Sequence, residues 1–112
     1  MRLRASQLNG CSYCVDLHSR DAASAGEHVQ RLYAVAVWHE SNFFTARERA
    51  AFTLVDAVTR LSETHVPDDV WHEASGAFSD DELAALLALV VSVNAWNELA
   101  VSTRGWRPKL RI

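Results

Sequence analysis

SDDELAALLALVVSVN, residues 79–94, carries a full set of helix signals, from start to apolar face. Ser79 followed by Glu82 is a capping box, in which the serine hydroxyl and the glutamate carboxylate each satisfy an amide of the other's residue. Behind it Leu83, Leu86, Leu87, Val90 and Val93 recur at three- and four-residue intervals, the repeat of a helix rather than a strand. The same signals extend outward. Thr45 and Glu48 form a second capping box, opening a helix through Ala51, Phe52, Val55 and Val58 to about Leu61. Pro67 suits the first turn of a short helix from Asp68 to about Phe78. Glu27 to His39, with Val29, Leu32, Tyr33, Val35, Ala36 and Val37, predicts a mostly buried helix. Arg2 to Leu8 is a short amphipathic piece stopped by Asn9-Gly10. A new helix is expected from near Cys11 to about Ala25, ended by Gly26. Beyond Arg104-Gly105 the tail is expected to be irregular. No stretch alternates with period two, so the expectation is one all-α domain over residues 1–112, with no repeat or linker.

Arg2-Leu3-Arg4-Ala5 has no cap in front of it, so the sequence begins inside what reads as a helix. A bundle lacking part of its first layer would expose apolar surface that oligomerisation can cover.

Composition narrows the function. Apolar residues make up 49% of the 112, enough for a packed core. The net charge is −3 and the basic residues read as scattered among acids, which argues against nucleic acid or an anionic membrane surface as partner. The first ten residues lack the apolar segment of a signal peptide. The run Leu83–Val93, followed as far as Ser92, reads as too short to span a bilayer. A cytoplasmic protein is expected. In that compartment a cysteine pair is seldom a permanent staple and more often redox-active or metal-binding.

The only two cysteines stand in GCSYCVDLH, residues 10–18. On a helix Cys11, Cys14 and His18 occupy positions i, i+3 and i+7, which predicts that all three project from one face. The two thiols can meet in a disulfide if the first turn relaxes. A helix N-terminus stabilises a thiolate through its free amides and dipole, favouring Cys11 as the low-pKa thiol. His18, one turn beyond Cys14, favours Cys14 instead by acting as its base. Zinc would need a fourth ligand or a water. No second cysteine pair offers one, and His28, His39, His65 and His72 are scattered. Thiol–disulfide or peroxide chemistry is the favoured reading over a metal site or two merely buried cysteines.

RASQLNGCSYCVDLHSRDA (Arg4–Ala22) closely resembles the core motif of the AhpD-like alkylhydroperoxidases within the carboxymuconolactone decarboxylase superfamily. QRLYAVAVWHESNFFTARERAAF (Gln30–Phe52) and VNAWNELA (Val93–Ala100) resemble later blocks of a single-domain branch. The superfamily's decarboxylases lack the cysteine pair, so this sequence sides with the peroxidase-like branch. The resemblance implies an all-α, AhpD-like helical bundle assembled as a homotrimer or homohexamer. It also implies reduction of hydroperoxides to alcohols with a thiol or dithiol reductant, and no organic cofactor or metal. By the same resemblance Cys14 is the peroxidatic thiolate, Cys11 resolves its sulfenic acid into a Cys11–Cys14 disulfide, and His18 carries protons.

There are departures. The family relay also uses a glutamate twelve residues before the first motif cysteine, a position that falls before Met1. The upstream helices of family members are likewise outside this sequence. An incomplete relay would deprive His18 of its orienting group and lower peroxidase efficiency, while disulfide exchange needs less of it. His39 and Glu98 stand where the branch usually has arginine. Alternative functions are a general dithiol–disulfide oxidoreductase and a redox-controlled oligomeric module without turnover.

Other residues carry smaller expectations. Asn94 and Asn97 are read as satisfying buried polar groups, and Trp38, Trp71, Trp96 and Trp106 as core or interface anchors rather than substrate platforms. Glu48 is read as a cap, Arg47, Arg49 and Arg60 as a solvated face, and Asp16 as electrostatic support for the N-terminal turn. Tyr13 is the intervening residue best placed to touch a substrate.

Overall fold

The computed structural model describes Met1–Ile112 and contains helices and no strand. In chain order the helices are α1 (Arg2–Asn9), α2 (Ser12–Ser24), α3 (Val29–Ala34), α4 (Ala46–Thr59), α5 (Leu61–Thr64), α6 (Asp68–Ala77) and α7 (Asp80–Thr103). A 3₁₀ turn, Val35–Val37, follows α3. Both capping boxes are formed in full, at Thr45/Glu48 and Ser79/Glu82. Four elements differ from the sequence reading. The segment expected to be one buried helix from Glu27 to His39 is a two-turn helix and a 3₁₀ turn, with only Val35 and Trp38 buried. Val29, Leu32, Tyr33 and Ala36 do share one face, but most of that face is exposed, and Val35 and Trp38 point the other way into the core. The fourth helix stops at Thr59, and Leu61–Thr64 form a separate turn. Pro67 precedes α6 as its cap rather than lying inside its first turn.

α7 is the fourth difference. The apolar run does not end at Val93: the helix continues to Thr103, and by length and mean hydropathy it is long enough to cross a bilayer. Its inner side is spent in the bundle instead. Leu83 packs with Leu54 and Ala74, and Val90 and Val93 pack with Ala5 and Val55. Only 22% of its most apolar window is buried, and Val91 and Leu99 lie on the side that no other element covers.

α1 is short and mostly polar, yet it sits at the centre, against α2, α4 and α7. Leu3 joins Val35, Trp38 and Phe52 in one core cluster and Ala5 joins the α4–α7 cluster. Arg4 makes a two-pronged pair with Asp56 of α4 (Nε–Oδ1 2.8 Å, Nη2–Oδ2 3.1 Å), and Trp38 Nε1 donates to the same carboxylate at 3.1 Å. Asn9 Nδ2 donates to Asn94 Oδ1 (2.7 Å) and Asn97 Oδ1 (3.0 Å), and Asn97 Nδ2 donates to Ser6 Oγ (3.1 Å). These bonds fix the register of α1 along α7, and so the place where α2 begins.

Candidate active site

The Asn9-Gly10 stop works as its composition suggests. Gly10 takes the left-handed conformation at φ 67°, where a side chain would be strained, and the amides of Gly10 and Cys11 bond back to Gln7 and Ser6. The chain therefore turns sharply and starts α2 at once. Cys11 is the N-cap of α2, with an extended backbone, and its Sγ accepts the Cys14 amide at 3.2 Å. The two cysteines are joined as a disulfide, with Cα atoms 5.2 Å apart, and both are buried against Ala100 of α7.

The one-face expectation is half right. Cys14 and His18, one turn apart on α2, open on the same cavity of about 510 Å³. Cys11 does not line that cavity. As the cap it lies outside the helical backbone, so the i, i+7 relation does not govern where it points. It lines two other clefts, the smaller of which shares Tyr13 and Trp106 with the Cys14 cavity.

Tyr13 lines the Cys14 cavity, as its position suggested, together with Leu17 and Val93. Trp96 and Trp106, which the sequence reads as core or interface anchors, form its aromatic wall. Trp106 stands between them all, with ring centroids 6.1 Å from Tyr13 and 6.0 Å from Trp96. A signal for Trp96 was present. It lies off the Val90/Val93/Asn97/Ala100 face of α7, and a large aromatic on the outer flank of a core helix asks for a role. Trp106 follows Gly105 in an irregular tail, where no periodicity can place it. Of the four tryptophans only Trp38 is a core residue.

His18 is half-buried at the cavity wall. Burial pushes its pKa below the ordinary 6.5, and the positive charge of Arg2 pushes it further, with Asp21 partly opposing. The ring is therefore neutral at neutral pH, the form that can accept a proton from a thiol. Arg2, which has no role in the sequence reading, lines this cavity too.

Asn94 and Asn97 are tied into the α1–α7 contact, and neither lines the cavity. Asp16 pairs with Arg20 at 3.0 Å, on the outer side of α2. Glu48 caps α4 and also pairs with Arg31. Arg49 is not on a solvated face: it donates to the carbonyls of Trp38, His39 and Ser41 and holds the loop before α4. Arg47 pairs with Glu82, and Arg60 is exposed. His39 stacks on Trp38 with ring centroids 3.6 Å apart, away from the disulfide. No group of three or more His, Cys, Asp or Glu side chains is arranged to hold a metal ion.

Comparison with known proteins gives concordant results. The family model of the carboxymuconolactone decarboxylases matches residues 1–57, a span that includes Cys11, Cys14 and His18. YdfG of Bacillus subtilis, an uncharacterized protein, is 31% identical over 102 residues, covering 91% of this chain and 69% of YdfG. YnjA of Escherichia coli, also uncharacterized, is 31% identical over 87 residues, 78% of this chain and 47% of YnjA. Among solved structures, the chain superposes on a protein of unknown function from Agrobacterium tumefaciens, suggested to be the antioxidant defence protein AhpD. The TM-score is 0.94 at 38% identity, over 97% of this chain and 75% of that one.

Proposed function

The chain belongs to the carboxymuconolactone decarboxylase family and has the all-α fold of its AhpD-like branch; from that premise we propose that it is a thiol-dependent peroxidase reducing organic hydroperoxides through Cys14, Cys11 and His18. The observation that carries this reading is the shared cavity, in which one sulfur of the disulfide and a neutral histidine meet a common space of substrate size.

In the reduced protein His18 takes the Cys14 thiol proton, and the thiolate attacks one oxygen of the hydroperoxide. The O–O bond breaks. Cys14 is oxidised to a sulfenic acid, and the alkoxide that leaves recovers the proton from His18 and departs as the alcohol. The Cys11 thiol then attacks the sulfenic sulfur. A disulfide forms, and the hydroxyl leaves as water with the Cys11 proton. Two external thiols, or one dithiol, reopen the bond. The electrons come from thiols throughout, so the cycle calls for no organic cofactor or metal. Trp96, Trp106, Leu17 and Val93 suit the organic part of the substrate.

Copies of the chain would cover the outer side of α7, where Val91 is 62% and Leu99 52% exposed. A homotrimer or homohexamer is the expected assembly. Sedimentation equilibrium at micromolar concentration checks it, and a monomer there removes this part of the proposal.

The decisive experiment is stopped-flow oxidation of the reduced protein by cumene hydroperoxide, with Cys11→Ser and Cys14→Ser alongside. Rapid oxidation is expected in the wild type, a trappable sulfenic acid in Cys11→Ser, and none in Cys14→Ser. If the wild type reacts no faster than a free thiol of similar pKa, the peroxidase reading is wrong and disulfide exchange takes its place.

A further inference from the structure

The two sulfurs of the disulfide face different surroundings. Residues 104–112 contain Arg104, Arg107, Lys109 and Arg111 and no acid, in a chain whose net charge is −3. Four of the eleven Lys and Arg residues thus stand in the last nine positions, and the fold brings that stretch to Cys11. Cys11, Arg20, Lys109 and Arg111 line an open cleft of about 870 Å³. Cys11, Arg104 and Arg107 line a smaller one of about 160 Å³ beside it. None of the four tail cations has a carboxylate partner. Asp16 is the one acid lining these clefts, and Arg20 already pairs with it. Cys14 lines neither cleft, and of these five cations none lines the Cys14 cavity.

We propose that the cleft on the Cys11 side binds a small anionic thiol, bearing carboxylate or phosphate, and that this thiol is the reductant. Oxidant and reductant then reach the same disulfide through different openings, each at its own sulfur. The unpaired guanidinium and ammonium groups raise the local concentration of a negatively charged thiolate, and the start of α2 adds the positive end of its dipole. The clefts have small-molecule dimensions. The bound thiolate attacks Cys11 Sγ, forming a mixed disulfide there and breaking the Cys11–Cys14 bond. The electron pair of that bond leaves with Cys14 as a thiolate, on the side where His18 or solvent supplies its proton. A second thiolate attacks the external sulfur of the mixed disulfide and releases a small-molecule disulfide and the Cys11 thiolate. Two electrons pass from two thiols to the protein disulfide. The proposal rests on the redox reading of the pair, but not on the oxidant being a peroxide.

The test is the rate at which the oxidised protein is reduced by mercaptosuccinate, coenzyme A, 2-mercaptoethanol and cysteamine, each expressed per concentration of its thiolate. At low salt an anionic thiol is expected to be about tenfold faster than neutral 2-mercaptoethanol, with cysteamine slowest. The advantage should shrink severalfold at ~0.5 M salt. Within one protein the anionic-to-neutral ratio cancels general effects of a substitution on stability. That ratio is expected to fall to one or below in Arg107→Glu/Lys109→Glu and to persist in Arg60→Glu, an exposed arginine outside both clefts. The larger gain, with coenzyme A or with mercaptosuccinate, assigns phosphate or carboxylate. A gain with neither overturns the proposal, as does a preference that survives in the double variant. Quenching the reaction with iodoacetamide should leave Cys14 alkylated and Cys11 in the mixed disulfide, and the reverse pattern overturns it too. A protein inert to hydroperoxide but selective for anionic thiols would refute the peroxidase reading and leave this one standing.

Discussion

Helices α1 and α2 follow one another across a single turn, and both carry polar residues into the middle of the bundle, but to opposite ends. In α1 the side chains of Arg4, Ser6 and Asn9 are used up, while Gln7 Oε1 is buried without a partner and Arg2 reaches the Cys14 cavity. Arg4 is held by Asp56 and by the Ala36 carbonyl, Ser6 donates to the Arg2 carbonyl and accepts from Asn97, and Asn9 bridges two asparagines of α7. In α2, Cys14, His18 and Tyr13 face a cavity, and His18 is tuned by burial and charge with no hydrogen bond contributing. Buried polar groups with partners build a fold, whereas groups left facing a space are available for chemistry. Hydropathy alone would rank the two helices the wrong way round, since the more polar α1 is the structural one.

The contrast is most exposed at Asp56. Arg4 and Asp56 have side chains only 12% and 17% accessible, and the carboxylate also receives Trp38 Nε1. Asp56→Ala leaves a guanidinium and an indole N–H without their acceptor in a closed place, an expected loss of about 3–5 kcal/mol. Urea unfolding checks this through a lowered midpoint at unchanged slope. A loss below about 1 kcal/mol would mean that water replaces the carboxylate easily. α1 would then not be the fixed member of the pair, and the division between structural and chemical helices would fail.

What the sequence made legible follows the same division. Local signals were sufficient for the capping boxes, for the left-handed stop at Gly10 and for the helix carrying Cys14 and His18, because each is a matter of neighbours three or four residues apart. The same signals failed where a residue's surroundings come from elsewhere in the chain. Arg49 reads as solvated until the loop carrying Trp38, His39 and Ser41 folds over it. Arg2, Trp96 and Trp106 lie up to 104 positions apart and share a cavity only in three dimensions. For Cys11 the helical spacing predicts the wrong direction. Helical spacing was applied one residue before the helix begins, and that single position decides which side of the disulfide each sulfur meets.

Arg2 tests the same contrast from the side of α2, with the smaller effect. It belongs to α1 but acts on α2: its charge is the second cause, after burial, of the lowered His18 pKa. Removing the charge in Arg2→Ala raises that pKa back toward 6.5. Histidine serves as a base only when neutral, so a higher pKa means less active base at any pH near or below 6.5. The acid limb of the hydroperoxide oxidation rate therefore moves to higher pH, and the deficit against wild type widens on acidification. Asp21→Asn, which removes an opposing charge, should move the limb the other way. A pH–rate series on reduced protein reads both shifts. Because His18 is half-exposed, ~0.5 M salt should largely erase the difference between Arg2→Ala and wild type, whereas a packing defect would persist at any ionic strength. A limb that stays put in Arg2→Ala would mean that burial alone tunes His18, and that α1 contributes to the chemistry only by holding α2 in place.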